Sequence, residues 1–185
     1  SMMAKIVGMA GSLRSGSFNA ALLRAAIGVM PGGSSLDVTT IKGIPLYDGD
    51  IEEKDGIPQA VQDLKNQIMA GDGVLLATPE YNNSMPGVFK NAIDWLSRPS
   101  ADIARVFGNR PIAIVGASPG GFGTALSQAA WLPVLRALGM RPWFGGRLLV
   151  SHAGSVFNDA GDLIDQKVKA QLQQFMHDFV DFVKS

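Results

Sequence analysis

Apolar runs and helix-spaced stripes take turns along the whole chain, and this alternation limits the possible folds more than any single motif does. Residues 6–10, 36–41, 73–78, 111–116 and 147–150 are short apolar runs bounded by glycine, proline or polar residues, as strands are. Phe18, Ala21, Leu22, Ala25, Ala26 and Val29 recur at the spacing of one helix face. Ile57, Ala60, Val61, Leu64 and Ile68 make a second stripe, and Val168, Leu172, Phe175, Met176, Phe179 and Val183 make the last. Residues 87–96 and 124–138 complete a set of five helices, with Pro133 expected to kink or divide the fourth. Residues 42–56, 100–109 and 151–161 read as loops. Five strands alternating with five helices call for right-handed crossovers, a parallel sheet and helices on both faces.

One order open to this succession is the flavodoxin-like 2-1-3-4-5, a three-layer α/β sandwich with a five-stranded parallel sheet. In such a sheet ligands bind at the carboxyl ends of the strands, at the switch point between strands one and three. The chain has 185 residues, which fits a single domain spanning 1–185. Ser1 and Met2, ahead of Met3, read as a cloning remnant. Sixteen basic and sixteen acidic residues cancel, so neither nucleic acid nor a membrane surface is an expected partner. There is no cysteine, which removes disulfides, thiolate metal sites and thiol nucleophiles. No apolar run is long enough to span a bilayer, and a cytoplasmic protein is expected.

Three glycine- and polar-rich loops follow strands one, three and four. The first runs Gly11, Ser12, Leu13, Arg14, Ser15, Gly16, Ser17, Phe18, Asn19 and opens a helix. Unpaired N–H groups at a helix start attract anions, and the short hydroxyls with Arg14 suit one phosphate. The same residues also suit an ordinary turn in which Ser15 or Ser17 caps the helix. The run matches neither the Walker loop nor the dinucleotide fingerprint. The second loop, residues 79–86, contains Pro79, Glu80, Tyr81, Asn82, Asn83, Ser84, Met85 and Pro86. A flat heterocycle needs an apolar face and in-plane donors and acceptors, which this loop offers. It also reads as a turn plus a cap for the next helix. The third loop carries Ser118, Pro119, Gly120 and Gly121, either closing over a ring or turning with positive φ. Trp95 reads as core or subunit contact, and His152 and His177 are too isolated for a metal site. No metal site and no side-chain catalyst is expected.

The first two loops, together with Lys90, Asn91, Ala92, Ile93, Asp94 and Trp95, resemble the NAD(P)H-dependent FMN reductase family, in particular its bacterial chromate and quinone reductases. The resemblance covers nearly the whole chain. It implies one non-covalent FMN and NADPH or NADH as co-substrate. Ser12, Arg14, Ser17, Phe18 and Asn19 would hold the phosphate. Pro79, Glu80, Tyr81 and Asn82 would line the isoalloxazine, and Ser118, Gly120 and Gly121 would meet the ring or ribityl chain. A homodimer or homotetramer and a small-molecule electron acceptor (quinone, chromate or azo compound) are further implications. A flavodoxin-like electron carrier and a non-catalytic FMN-binding protein remain as alternatives.

Overall fold

The computed structural model describes residues 3–185, so the expectation for Ser1 and Met2 lies outside it. Strands β1 (Lys5–Ala10), β2 (Ser35–Thr39), β3 (Gly73–Ala77) and β4 (Pro111–Ala117) form a parallel sheet in the order β2-β1-β3-β4. The fifth position is split. β5 (Arg141–Pro142) pairs with Pro111 and Ile112, while β6 (Leu149–Val150) pairs with Gly116 and Ala117. The fold is therefore the expected flavodoxin-like α/β sandwich, with six strands in place of five. The expected strand at 147–150 is realised at its last two residues, and the Trp143-Phe144-Gly145-Gly146 stretch bows out between the two pieces.

Strands β1, β3 and β4 bury both faces, which is why their runs are continuously apolar and not alternating, whereas the edge strand β2 is largely exposed. Leu75, Ala77, Ala113 and Val115 face the core under helices α1 (Phe18–Ile27) and α9 (Gln166–Lys184). Val74, Leu76 and Ile112 face the opposite core, with side chains of α3 (Gln59–Ala70) and α4 (Gly87–Leu96). Trp95 is fully buried in that second core, as expected of a core residue. The helical pattern over 124–138 is divided as Pro133 requires: α6 (Ala125–Ala130) ends at Trp131, and α7 (Leu132–Ala137) carries Pro133 in its first turn. Among the described residues no helix is long and apolar enough to cross a membrane.

Three expected loops contain short helices. α2 (Gly49–Asp55) lies inside 42–56, α5 (Ile103–Val106) inside 100–109, and α8 (Ala153–Val156) inside 151–161. α2 buries no residue and so has no apolar stripe to reveal it. Asp48 caps it, and tertiary contacts hold it. The Glu52 carboxylate takes hydrogen bonds from Arg98 Nε at 2.7 Å and Nη2 at 3.0 Å, and from the Tyr47 hydroxyl at 2.9 Å. The Arg98 hydrogen bonds hold the Glu52 carboxyl below the usual carboxylate range, and the bond to Glu52 raises the Tyr47 phenol. The same segment docks on α4: Trp95 Nε1 donates to Pro45 O at 2.8 Å, and Tyr47 N donates to Asn91 Oδ1 at 2.9 Å.

Candidate functional site

Parallel strands bring the carboxyl ends of β1, β3 and β4 to one edge, and hydrogen bonds tie the loops that leave them. Gly11 N donates to Ala77 O at 3.0 Å, joining the first loop to the end of β3. A side chain at Gly11 would place Cβ within 2.1 Å of the Phe89 ring, so this position requires glycine for close approach. Gly16 is different: a Cβ there meets nothing, and its backbone has no positive φ. Glycine is therefore not required at position 16; the turn is made by Arg14 N donating to Ser12 Oγ at 3.1 Å and Ser17 N to Arg14 O at 3.3 Å.

Ser17 caps α1, its Oγ accepting from Ala20 N at 3.2 Å. Phe18 is half-buried and stacks on Phe157. Arg14 is exposed and, among the described residues, has no ion pair. The N–H groups of Phe18 and Asn19, in the first turn of α1, likewise have no acceptor among the described residues. The Asn19 side chain is turned inward: Nδ2 donates to Ala117 O and Oδ1 accepts from Ala117 N, both at 2.9 Å. In the β3–β4 register Pro79 stands opposite Ala117, where β3 has already left the sheet. Asn19 thus supplies the peptide-like partner that strand β3 no longer offers, and pins the first loop to the third.

The second loop is a two-residue hairpin turn. Tyr81 N donates to Ser84 O at 2.9 Å and Ser84 N to Tyr81 O at 3.1 Å, with Asn82 and Asn83 both at positive φ (51° and 64°). That is the asparagine-tolerant turn of tight hairpins. The expected cap is not made: Pro86 occupies the N-cap of α4, and no side chain bonds there. Pro79 is buried, whereas Tyr81 is 48% exposed and Asn82 is exposed. The Glu80 side chain reaches away from the turn to accept from Ser127 N at 2.9 Å, in the first turn of α6.

In the third loop Ser118 Oγ accepts from Gly123 N at 3.0 Å, so the hydroxyl closes the loop on itself. Positive φ falls on Gly123 and Thr124, not on Gly120 or Gly121 as the turn reading expected. Gly120 and Gly121 are exposed, and Phe122 beside them is 67% exposed.

Sequence reasoning missed a fourth wall. His152 N donates to Gly120 O at 2.9 Å and Ala153 N to Ser118 O at 3.0 Å, seating the start of α8 on the third loop. His152 is exposed in a left-handed conformation (φ 51°), with its imidazole near Gly121. Gly154, two residues on, shares a cavity of about 340 Å³ with Ser15, Gly16, Ser17 and Phe18 of the first loop. His152 and His177 are far apart in sequence and on separate elements, so isolation was the only sequence signal either gave.

Among the described residues, the assembled edge has N–H donors and a guanidinium without partners at one loop, and an exposed aromatic hairpin and bare glycines at the others. Comparison with known proteins bears on what such an edge serves. A family model described as NADPH-dependent FMN reductase matches residues 4–155. The chain is 46% identical over 170 residues to an NAD(P)H-dependent FMN reductase of Pseudomonas aeruginosa, covering 92% of this chain and 90% of that one. It is 37% identical over 183 residues to a 2-hydroxy-1,4-benzoquinone reductase of a Burkholderia species, covering 99% and 98%. A solved flavoenzyme NAD(P)H:(acceptor) oxidoreductase from Paracoccus denitrificans superposes with a TM-score of 0.87 at 32% identity, over 98% of each chain.

Proposed function

The chain belongs to the family of NADPH-dependent FMN reductases, with FMN as cofactor and NAD(P)H as co-substrate, and on that premise we propose that it reduces quinones. The observation that carries the reading is the joining of three loops at one sheet edge, with an anion-binding end and a flat, half-apolar end. The residues fit the cofactor: the unpartnered Phe18 and Asn19 N–H groups and the free Arg14 suit a phosphate, while the exposed Tyr81 face suits a ring.

In this reading Arg14 anchors the phosphate with charge-assisted bonds, and Ser12, Ser17 and Phe18 border it. Asn19 contributes its N–H directly and its side chain indirectly, by fixing the loop against Ala117. Pro79, Glu80, Tyr81 and Asn82 flank the ring from one side, and Ser118, Gly120 and Gly121 from the other. The cofactor's chemistry, when bound, is hydride acceptance from NAD(P)H and two-electron delivery to the acceptor. The chain's task is to hold it and to place donors where negative charge grows. Chromate and azo compounds are further acceptors in this reading. Exposed Leu13, Leu46, Tyr81 and Phe122 support a homodimer or homotetramer, working in the cytoplasm.

The test is a rapid-mixing experiment on FMN-loaded protein. NADPH or NADH should bleach the oxidised flavin spectrum, and an added benzoquinone should restore it within the same turnover. Protein that binds FMN but keeps its yellow colour with both nucleotides would be a binding module, and the proposal would fall. Light scattering that returns the mass of one chain would remove the oligomer.

A further inference from the structure

Beneath the second loop lies a hydroxyl that none of the proposed contacts uses. Thr78, the residue after β3, is completely buried. Its Oγ1 donates to Pro79 O at 2.9 Å and accepts the indole proton of Trp131 at 3.1 Å. A third neighbour, Ser127 Oγ, lies at 3.0 Å. A hydroxyl has one proton and two lone pairs. With the proton given to Pro79 and one lone pair facing the indole, Ser127 is the donor of the third bond. The Thr78 hydroxyl is therefore fully saturated.

This junction determines which way one peptide faces. In a planar trans peptide the C=O and the following N–H point in opposite directions. Thr78 draws the Pro79 C=O inward, so the Glu80 N–H points away from the junction, toward the loop's outer side. Among the described residues that N–H has no acceptor. Ser127 locks the peptide from both ends, since its hydroxyl holds Thr78 and its own N–H holds the Glu80 carboxylate at 2.9 Å. Trp131 extends the floor toward the first loop: it packs edge-on against Phe89 at 5.0 Å, and Phe89 is the ring that fills the space beside Gly11.

We propose that Thr78 is a positioning residue for the flavin, its saturated hydroxyl fixing the Pro79–Glu80 peptide so that the Glu80 N–H is displayed to the ring. The inference rests on the reading above that residues 79–82 line the ring. It adds a residue that touches no ligand and acts through the orientation of one backbone donor. A donor held at the ring stabilises the reduced, more negative form more than the oxidised form. Loss of that donor should make the bound flavin harder to reduce.

The experiment compares Thr78→Val, which keeps the shape and removes the hydroxyl, with Thr78→Ser, which keeps the hydroxyl. FMN affinity of the apoprotein and the midpoint potential of the bound flavin are measured for each. Thr78→Val should weaken FMN binding about tenfold, the loss of roughly one oriented donor, and shift the potential negative. Thr78→Ser should recover both to within about threefold of the parent affinity. Equal losses in the two variants would mean that the effect does not follow the hydroxyl, and would overturn the proposal, as would parent-like behaviour of Thr78→Val. Should Thr78→Val fail to fold, Thr78→Ala, which also removes the hydroxyl and differs from Thr78→Ser by that hydroxyl alone, carries the same comparison. Arg14→Ala separates the two levels of inference. If it leaves FMN affinity intact, the site reading fails; if it weakens binding while Thr78→Val does not, only the positioning role fails.

Discussion

Asn19→Ala separates a structural clamp from a phosphate ligand. The substitution removes two hydrogen bonds of 2.9 Å and leaves both the N–H and the C=O of Ala117 without their partner. Asn19 and Ala117 are each only 3% exposed, so solvent replaces the bonds poorly. An unpaired buried backbone group costs about 1–3 kcal/mol, and two of them about 2–6 kcal/mol. The site lies at a loop-bearing edge where water can reach part of the gap, so the lower half of that span, about 2–4 kcal/mol, is expected. For a chain of this length each kcal/mol lowers Tm by about 2–4 °C, giving a fall of about 4–16 °C. The assay is thermal unfolding of the apoprotein followed by circular dichroism, with no FMN present. A residue that only held phosphate would leave the apoprotein Tm unchanged and lose the stabilisation that FMN adds. Asn19→Asp sharpens the test, because its carboxylate keeps an acceptor for Ala117 N–H but sets oxygen against Ala117 O. Its deficit should grow as pH rises through the carboxylate range. An apoprotein Tm for Asn19→Ala within about 2 °C of the parent would refute the clamp.

Arg14→Ala should weaken FMN binding by about 1.5–3 kcal/mol, roughly 10–150-fold, with no change in apoprotein Tm, since the side chain is exposed and unpaired among the described residues; equilibrium titration with FMN measures it. Gly11→Ala forces a Cβ onto the Phe89 ring, which is itself packed on Trp131, and should cost about 1–3 kcal/mol in urea unfolding. An unchanged urea midpoint would contradict that packing. The Glu52 carboxyl is held low by Arg98, so its contribution to docking α2 is present above the ordinary carboxylate pKa and disappears as pH falls through the depressed folded value. Amide NMR shifts of residues 49–55 should report undocking of α2 on acidification, and Glu52→Gln should show the undocked shifts already at neutral pH.

The order of strands and helices was legible in the chain because it rests on local periodicity. Continuous apolar runs such as Val74-Leu75-Leu76-Ala77 are what burial on both sheet faces demands, and the stripes of α1 and α9 follow from one-sided burial. Parallel strands then bring the loops after β1, β3 and β4 to one edge, so the edge that carries the candidate site followed from the alternation, and the three loops on it from their glycine- and polar-rich composition. The split of the fifth strand did not, since pairs of two residues leave no period to read. α2 was hidden for a related reason: a helix held by Glu52–Arg98 and Asp48 shows no apolar face.

Within the site, the sequence determined which residue types meet, and tertiary structure decided what each does. Asparagine, glutamate and serine look the same in a string whether they face a ligand or the protein's own backbone. Asn19 bonds to a residue 98 positions away, Glu80 to one 47 away, and Thr78 to one 49 away. No local pattern encodes those partners, because hydrogen bonds of this length in sequence exist only once the sheet has brought the loops together. The physical consequence is a division of labour: Arg14, Tyr81 and the bare N–H groups stay turned outward, while the buried amide and hydroxyls and the half-buried carboxylate hold the loops that carry them.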